Sequence, residues 1–96
     1  MASYRLSVKA EEDLTEIYTY GILQFGYSQA GRYTAGLEET LLNLAQFLYL
    51  GKESNFLYRG LREFIYKSHL IFYLIEEEGI LIVRILHQSR DYKNFI

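Results

Sequence analysis

Two neighbouring segments late in the chain are apolar on both of their faces, and this limits the possible folds more than any other feature. In an extended His69–Ile75 segment, Leu70, Phe72 and Leu74 point one way while Ile71, Tyr73 and Ile75 point the other. In Ile80–His87, Leu81, Val83 and Ile85 oppose Ile80, Ile82 and Leu86. A strand with one wet face alternates cleanly between apolar and polar residues, and these two do not. The rest of the chain supplies one pair of helices, which is cover for one face of a sheet. The other face has two outcomes. Either the sheet coils strongly and a loop and the tail fill its concave side, or an apolar segment of another chain docks there. Large exposed apolar patches mark such docking sites.

The remaining elements follow from periodicity. Tyr4-Arg5-Leu6-Ser7-Val8 alternates and predicts a short strand. Ser7 is placed to cap a helix, with Glu11, Glu12 and Asp13 in its first turns, where the positive end of the helix dipole favours acids. Ala10, Leu14, Ile17, Gly21 and Phe25 recur at helical spacing, widened by Tyr18 and Ile22, and Gly26 closes the helix. Ser28 is the expected cap of a second helix, whose stripe is Ala30, Tyr33, Leu37, Leu41, Leu44 and Leu48 and whose end is Gly51. The short Gly26-Tyr27-Ser28 link predicts antiparallel helices, with Gly31 and Gly36 letting them approach. Gly51 to Gly60 reads as a surface loop. Strands over Leu61–Lys67, His69–Glu76 and Ile80–His87 follow, joined at Ser68 and by a Glu76-Glu77-Glu78-Gly79 hairpin. The expected architecture is α+β: an N-terminal strand, an antiparallel helical hairpin and a three-stranded antiparallel meander, in one domain spanning 1–96.

Composition removes several function classes. Half of the 96 residues are apolar and 17% are aromatic, enough for a packed core and too apolar for a disordered chain. The longest apolar run, Leu70 to Ile75, is far too short to cross a bilayer, and no membrane partner is expected. Met1-Ala2-Ser3-Tyr4-Arg5 has no apolar signal region, so the expected location is cytoplasmic. Cysteine is absent, which excludes disulfides and thiolate chemistry, and His69 and His87 are the only histidines. No metal site and no cofactor is expected. The net charge of −2 gives no case for tight nucleic-acid binding, so no direct nucleic-acid partner is expected. The charge is uneven, however. Residues 51–96 carry seven basic and six acidic side chains, and three of those acids form the single run Glu76-Glu77-Glu78.

Catalytic patterns are sparse. There is no nucleophile elbow, no phosphate-binding glycine loop and no metal-ligand spacing. His69, at the start of a strand, reads as a structural hydrogen-bonder. His87, at the end of a strand beside Arg84 and Arg90, is more suggestive. Arg62, Lys67, Arg84, Arg90 and Lys93, with Tyr66, Tyr73 and Tyr92 among them, fit RNA phosphate with a stacked base, an acidic protein partner, or a solvated rim. Tyr18, Tyr20 and Tyr33 read as edges of the helical core.

The chain resembles the RelE/ParE superfamily of bacterial toxins, and within it the ParE branch. The matching stretches are Tyr4-Arg5-Leu6-Ser7, Ala10 with Asp13-Leu14, Ile17 and Tyr20, then Phe25-Gly26, Gln29-Ala30, Tyr33 and Leu37. Later come Gly60-Leu61-Arg62, Ser68-His69, Phe72-Tyr73 and the most specific piece, Ile82-Val83-Arg84-Ile85-Leu86-His87-Gln88-Ser89. The chain departs from the ParE pattern after the second helix, where Phe47-Leu48-Tyr49-Leu50-Gly51 carries no proline.

The resemblance implies the toxin of a type II toxin–antitoxin system, neutralised by a small ParD-like antitoxin that wraps the helical hairpin and sheet. ParE-like toxins imply non-catalytic inhibition of DNA gyrase; RelE-like relatives imply ribosome-dependent mRNA cleavage. The RelE-like arginine in the middle strand falls at Leu70, the C-terminal tyrosine near Ile96, and Arg90 alone matches. The ribonuclease set therefore looks incomplete, and the expectation is a gyrase inhibitor rather than an enzyme. A RelE-like nuclease using Arg90 and His87, or a non-toxic interaction module, are the alternatives. Target contact is expected at Arg84, His87, Arg90, Tyr92 and Lys93. Antitoxin contact is expected at Tyr18, Tyr33, Ile71, Tyr73, Ile82 and Arg84.

Overall fold

The structure is a computed structural model that describes residues 3–96. The reading of Met1-Ala2 as part of a signal-free start concerns residues outside that range. The elements are β1 (Tyr4–Leu6), α1 (Val8–Phe25), α2 (Tyr27–Gln46), β2 (Lys52–Glu53), β3 (Arg62–Tyr66), β4 (His69–Glu76) and β5 (Gly79–His87), with a 3₁₀ turn at Tyr92–Asn94. They form two helices on a five-stranded sheet of order β1-β5-β4-β3-β2, in which β1 runs parallel to β5 and the other pairs are antiparallel. The expected α+β arrangement holds. The N-terminal strand joins the meander at its far edge, and the short strand β2 lies inside the segment expected to be loop.

Ser7 caps α1 as expected. Its hydroxyl accepts from the Ala10 N–H at 3.0 Å and donates to the Val83 carbonyl at 2.7 Å, tying the helix start to β5. Gly26, at φ 87, ends α1 in the left-handed region that only glycine enters cheaply. The expected Ser28 cap is corrected: α2 begins one residue earlier, at Tyr27, and Ser28 accepts from Arg32 at 2.8 Å within the helix. The expected end at Gly51 is corrected as well. The helix stops at Gln46, and a turn through Leu50 follows.

The helices approach closely where Gly21 meets Ala30, with an added Cβ only 3.1 Å from the Ala30 Cβ, and Gly36 leaves room for the Tyr66 hydroxyl. Gly31 plays no such part, because a Cβ there meets nothing within 4 Å. Gly31→Ala should therefore stabilise the protein by about 1 kcal/mol, the helix-propensity difference, as a higher urea midpoint would show.

The α2 stripe enters the core as expected, with Leu37, Leu41 and Leu44 buried in one cluster with Ile71, Tyr73 and Ile82, and Ala30 buried against Gly21. The α1 stripe is shallower. Ala10 is buried and Leu14 and Ile17 pack at its edge, whereas Phe25 is 60% exposed.

A register shift corrects the expected facing of β5. Phe72 pairs with Arg84 but Tyr73 pairs with Ile82, so Val83 is one residue extra on β5. The bulge changes the parity of the strand. Ile80, Ile82 and Ile85 all join the helix-side core, although strict alternation opposes Ile85 to the other two.

The second apolar face is closed by the chain itself. Leu70, Phe72 and Leu86 pack with Leu61 and Leu57 of the preceding loop and with Tyr92 and Ile96 of the tail. This is the coiled, self-filled outcome. Ile71, Tyr73 and Ile82, expected to meet an antitoxin, are fully buried beneath the helices, and their side chains do not reach the surface. The Tyr73 hydroxyl is also used internally: it donates to the Leu48 carbonyl at 2.9 Å and accepts from the Gly51 N–H at 2.8 Å.

Candidate functional site

One groove of about 760 Å³ opens between the helical hairpin and the end of the sheet where β3 turns into β4 and β5 finishes. The two-residue Lys67-Ser68 turn, with Lys67 at φ 50, lifts the Lys67 side chain onto its rim. His69 and His87 are cross-strand partners, so the pairing of β4 with β5 brings both imidazoles to the same place. Their rings meet edge to face at 5.3 Å.

The Tyr33 hydroxyl lies 2.6 Å from His69 Nδ1, which ties α2 to β4. Burial pushes the Tyr33 phenol up. The His87 Nδ1 accepts the Ser89 N–H at 3.1 Å and lies 2.7 Å from the Ser89 hydroxyl. Arg90 leans on the Phe95 ring at 4.8 Å, and Lys67 sits 5.8 Å from the Tyr33 ring centre.

Burial pushes the His69 imidazole from 6.5 down to about 4, and His87 pushes it the same way, while Asp13 opposes both. The folded state therefore binds its proton less readily than the unfolded chain. The neutral ring contributes stability above about pH 6.5, and that contribution is lost as pH falls toward 4. The ring is partly exposed, so solvent screening reduces the loss to about 1–2 kcal/mol. Urea denaturation at about pH 7 and about pH 4.5 measures it, and His69→Phe should flatten the difference.

The expected target residues separate into two groups. His87 and Arg90 line the groove and are exposed, and Lys93 is exposed on the tail. Arg84 and Tyr92 serve the fold. The Arg84 Nε and Nη2 donate to the two Asp13 carboxylate oxygens at 2.8 and 2.9 Å. Those hydrogen bonds hold the Arg84 pKa above its usual value. Tyr92 packs its ring on Phe72 at 5.7 Å. Of the residues expected to meet an antitoxin, Tyr18 is partly exposed on α1 and Tyr33 is half-buried behind the groove. Arg84 is occupied by Asp13.

The roles of three residues escaped the sequence reading. Asp13 sits three residues after Ala10 on the buried side of α1, and an acid beside an apolar stripe is the available signal of a buried ion pair. His69 and Lys67 were visible as residues, but their meeting depends on strand register. Among the described residues no group of three or more His, Cys, Asp or Glu side chains is placed to hold a metal. No helix is long and apolar enough to cross a membrane.

The chain is thus a helical hairpin laid on a five-stranded sheet, with a groove that carries Lys67 and Arg90 at one end. Residues 4–92 match the family model described as "ParE toxin of type II toxin-antitoxin system, parDE", and the chain belongs to the ParE toxin family. It is 36% identical over 91 residues to Toxin ParE1 of Caulobacter vibrioides, covering 95% of this chain and 94% of that one. It is 35% identical over 92 residues to Toxin ParE of Escherichia coli, covering 95% of this chain and 89% of the relative. The fold matches a chain of the solved structure "Chromosomal ParDE TA system from P. aeruginosa" with TM-score 0.77 at 22% identity, covering 91% of this chain and 96% of that chain. The protein is a toxin of a type II toxin–antitoxin system.

Proposed function

We propose that this toxin acts in the cytoplasm by binding DNA gyrase, with no covalent or hydrolytic step, and that a small ParD-like antitoxin neutralises it. The observation that carries the non-catalytic part is how the arginines are used. Arg84 is bound to Asp13, and Arg62 donates to the Gly51 carbonyl at 2.8 Å. That leaves Arg90 as the one arginine of this set without such a partner among the described residues, a thinner set of cations than stabilising the charge that builds on a phosphate in metal-independent RNA cleavage calls for. The exposed cations at the end of β5 and on the tail, Arg90 and Lys93 with His87 beside them, suit recognition of an acidic protein surface.

The tip of the hairpin supports an antitoxin seat. Tyr20, Leu23, Phe25 and Tyr27 are exposed there, Leu23 by 77% and Tyr27 by 74%, and Tyr18 lies further back on α1. Apolar side chains this open, grouped at one end of a small soluble protein, mark an interaction surface.

Purified protein added to a gyrase supercoiling reaction and, separately, to an in vitro translation reaction tests the reading. Loss of supercoiling with translation intact is expected. Stalled translation with cleaved message would instead make the chain a ribonuclease. Inertness in both would remove the toxic activity from the proposal.

A further inference from the structure

The groove between the hairpin and the end of the sheet gathers cations, imidazoles and aromatic rings in one place. Its rim carries Lys67 and Arg90, and among the described residues neither has an ion-pair partner. Two imidazoles lie between them, each anchored through Nδ1 by a hydroxyl, His69 to Tyr33 and His87 to Ser89. On the opposite wall the rings of Tyr20 and Phe25, 63% and 60% exposed, border the same space. The volume of about 760 Å³ is that of a small-molecule site.

From this geometry we infer that the groove binds a nucleoside monophosphate, with the phosphate against Lys67, His87 and Arg90 and the base on the rings of Tyr20 and Phe25. The inference goes beyond the gyrase reading and stands without it. Every charged or titratable group on the groove enters the account. α1 contributes Asp13, already neutralised by Arg84, together with Glu16 and Tyr20; α2 contributes Tyr33. The β3–β4 turn contributes Lys67, β4 His69, β5 His87 and the segment after it Arg90. With Asp13 bound to Arg84, the cations Lys67 and Arg90 face one remaining carboxylate, Glu16. That balance suits a phosphate carrying about −1.5 to −2 charges better than one carboxylate of a peptide. Aromatic faces hold a base by stacking without regard to its identity.

Titration of the protein with adenosine 5′-monophosphate, followed by NMR of the histidine rings, tests the inference. Inorganic phosphate, adenosine and an acetylated glutamate-containing peptide are run alongside. The nucleotide is expected to shift both His69 and His87 and to bind at least about tenfold more tightly than phosphate or adenosine. It should also raise the His69 titration midpoint from about 4, since a bound anion favours the charged ring. Arg90→Ala and Lys67→Asn should each weaken binding by about tenfold or more while the melting temperature stays unchanged. Asparagine is chosen at 67 because it tolerates the left-handed backbone there.

No response at about 1 mM nucleotide overturns the inference. Adenosine binding as tightly as the nucleotide also overturns it, by removing the phosphate contacts. Phosphate binding equally well removes the base contacts and overturns it too. Histidine shifts produced by the peptide and not by the nucleotide assign the groove to a protein partner instead. The supercoiling assay is read independently, so failure here leaves the gyrase reading where it stood.

Discussion

Asp13→Ala lowers the unfolding free energy by about 3–5 kcal/mol, the cost of leaving one member of a buried ion pair without its partner. The geometry explains the size. The two Asp13 oxygens take both prongs of the Arg84 guanidinium, and Oδ2 also accepts the Ile85 N–H at 2.9 Å. Both side chains are largely shielded from water, at 7% and 13% exposure. One carboxylate therefore holds α1 against β5 beside the bulge that sets the facing of Ile82 and Ile85. Its removal strands the guanidinium and orphans a backbone donor together. Arg84→Ala should cost a similar amount by stranding the carboxylate. An Asp13→Ala/Arg84→Ala double variant should lose less than the two single changes combined, since removing both partners leaves neither charge buried and unpaired. Urea denaturation of the four proteins measures the cycle. Additive losses would mean that the pair carries no coupling.

Ile82→Ala is expected to destabilise by about 2–5 kcal/mol, the range for opening a cavity in a close-packed core. Ile82 is fully buried and packs in the cluster that contains Leu41, Leu44, Ile71 and Tyr73. The neighbours are fixed by strand register and helix packing, so the space does not collapse freely. At a temperature where the variant remains folded, antitoxin affinity should be unchanged, because the side chain never reaches the surface. Calorimetric unfolding followed by a binding titration separates these effects. Weaker antitoxin binding by the folded variant would mean that the core residue shapes the interface.

Much of the fold was legible from spacing. The α2 stripe, the Ser7 cap, the Gly26 stop and the Glu76–Gly79 hairpin are local signals, and each depends on residues close in sequence. The facing of β5 was not legible. One unpaired residue, Val83, reverses the alternation beyond it, and period-two reading has no means to detect a bulge. The closing of the second face by loop and tail was one of two outcomes left open by the sequence, for a related reason. Tyr92 and Ile96 reach Phe72 and its neighbours only once the tail has turned back through the 3₁₀ turn, a long-range event with no periodic trace.

The candidate site was half visible. His87 and Arg90 stood out at a strand end, and they do lie together on an open groove. Arg84 looked equivalent in the sequence because it is three residues from His87. In the fold both prongs of its guanidinium are held by Asp13. His69 reached the groove through its pairing with His87, and Tyr33 through the seating of α2 on the sheet.

The most direct test of the account is a supercoiling titration with the His87→Ala/Arg90→Ala double variant beside the unaltered protein. Both residues are exposed at the end of β5 and on the segment after it, so the variant should melt at the same temperature as its parent. The parent is expected to inhibit gyrase, and the variant to need at least about tenfold more protein for the same inhibition. Equal inhibition by the two, with both fully folded, would contradict it and place the gyrase contact elsewhere on the molecule.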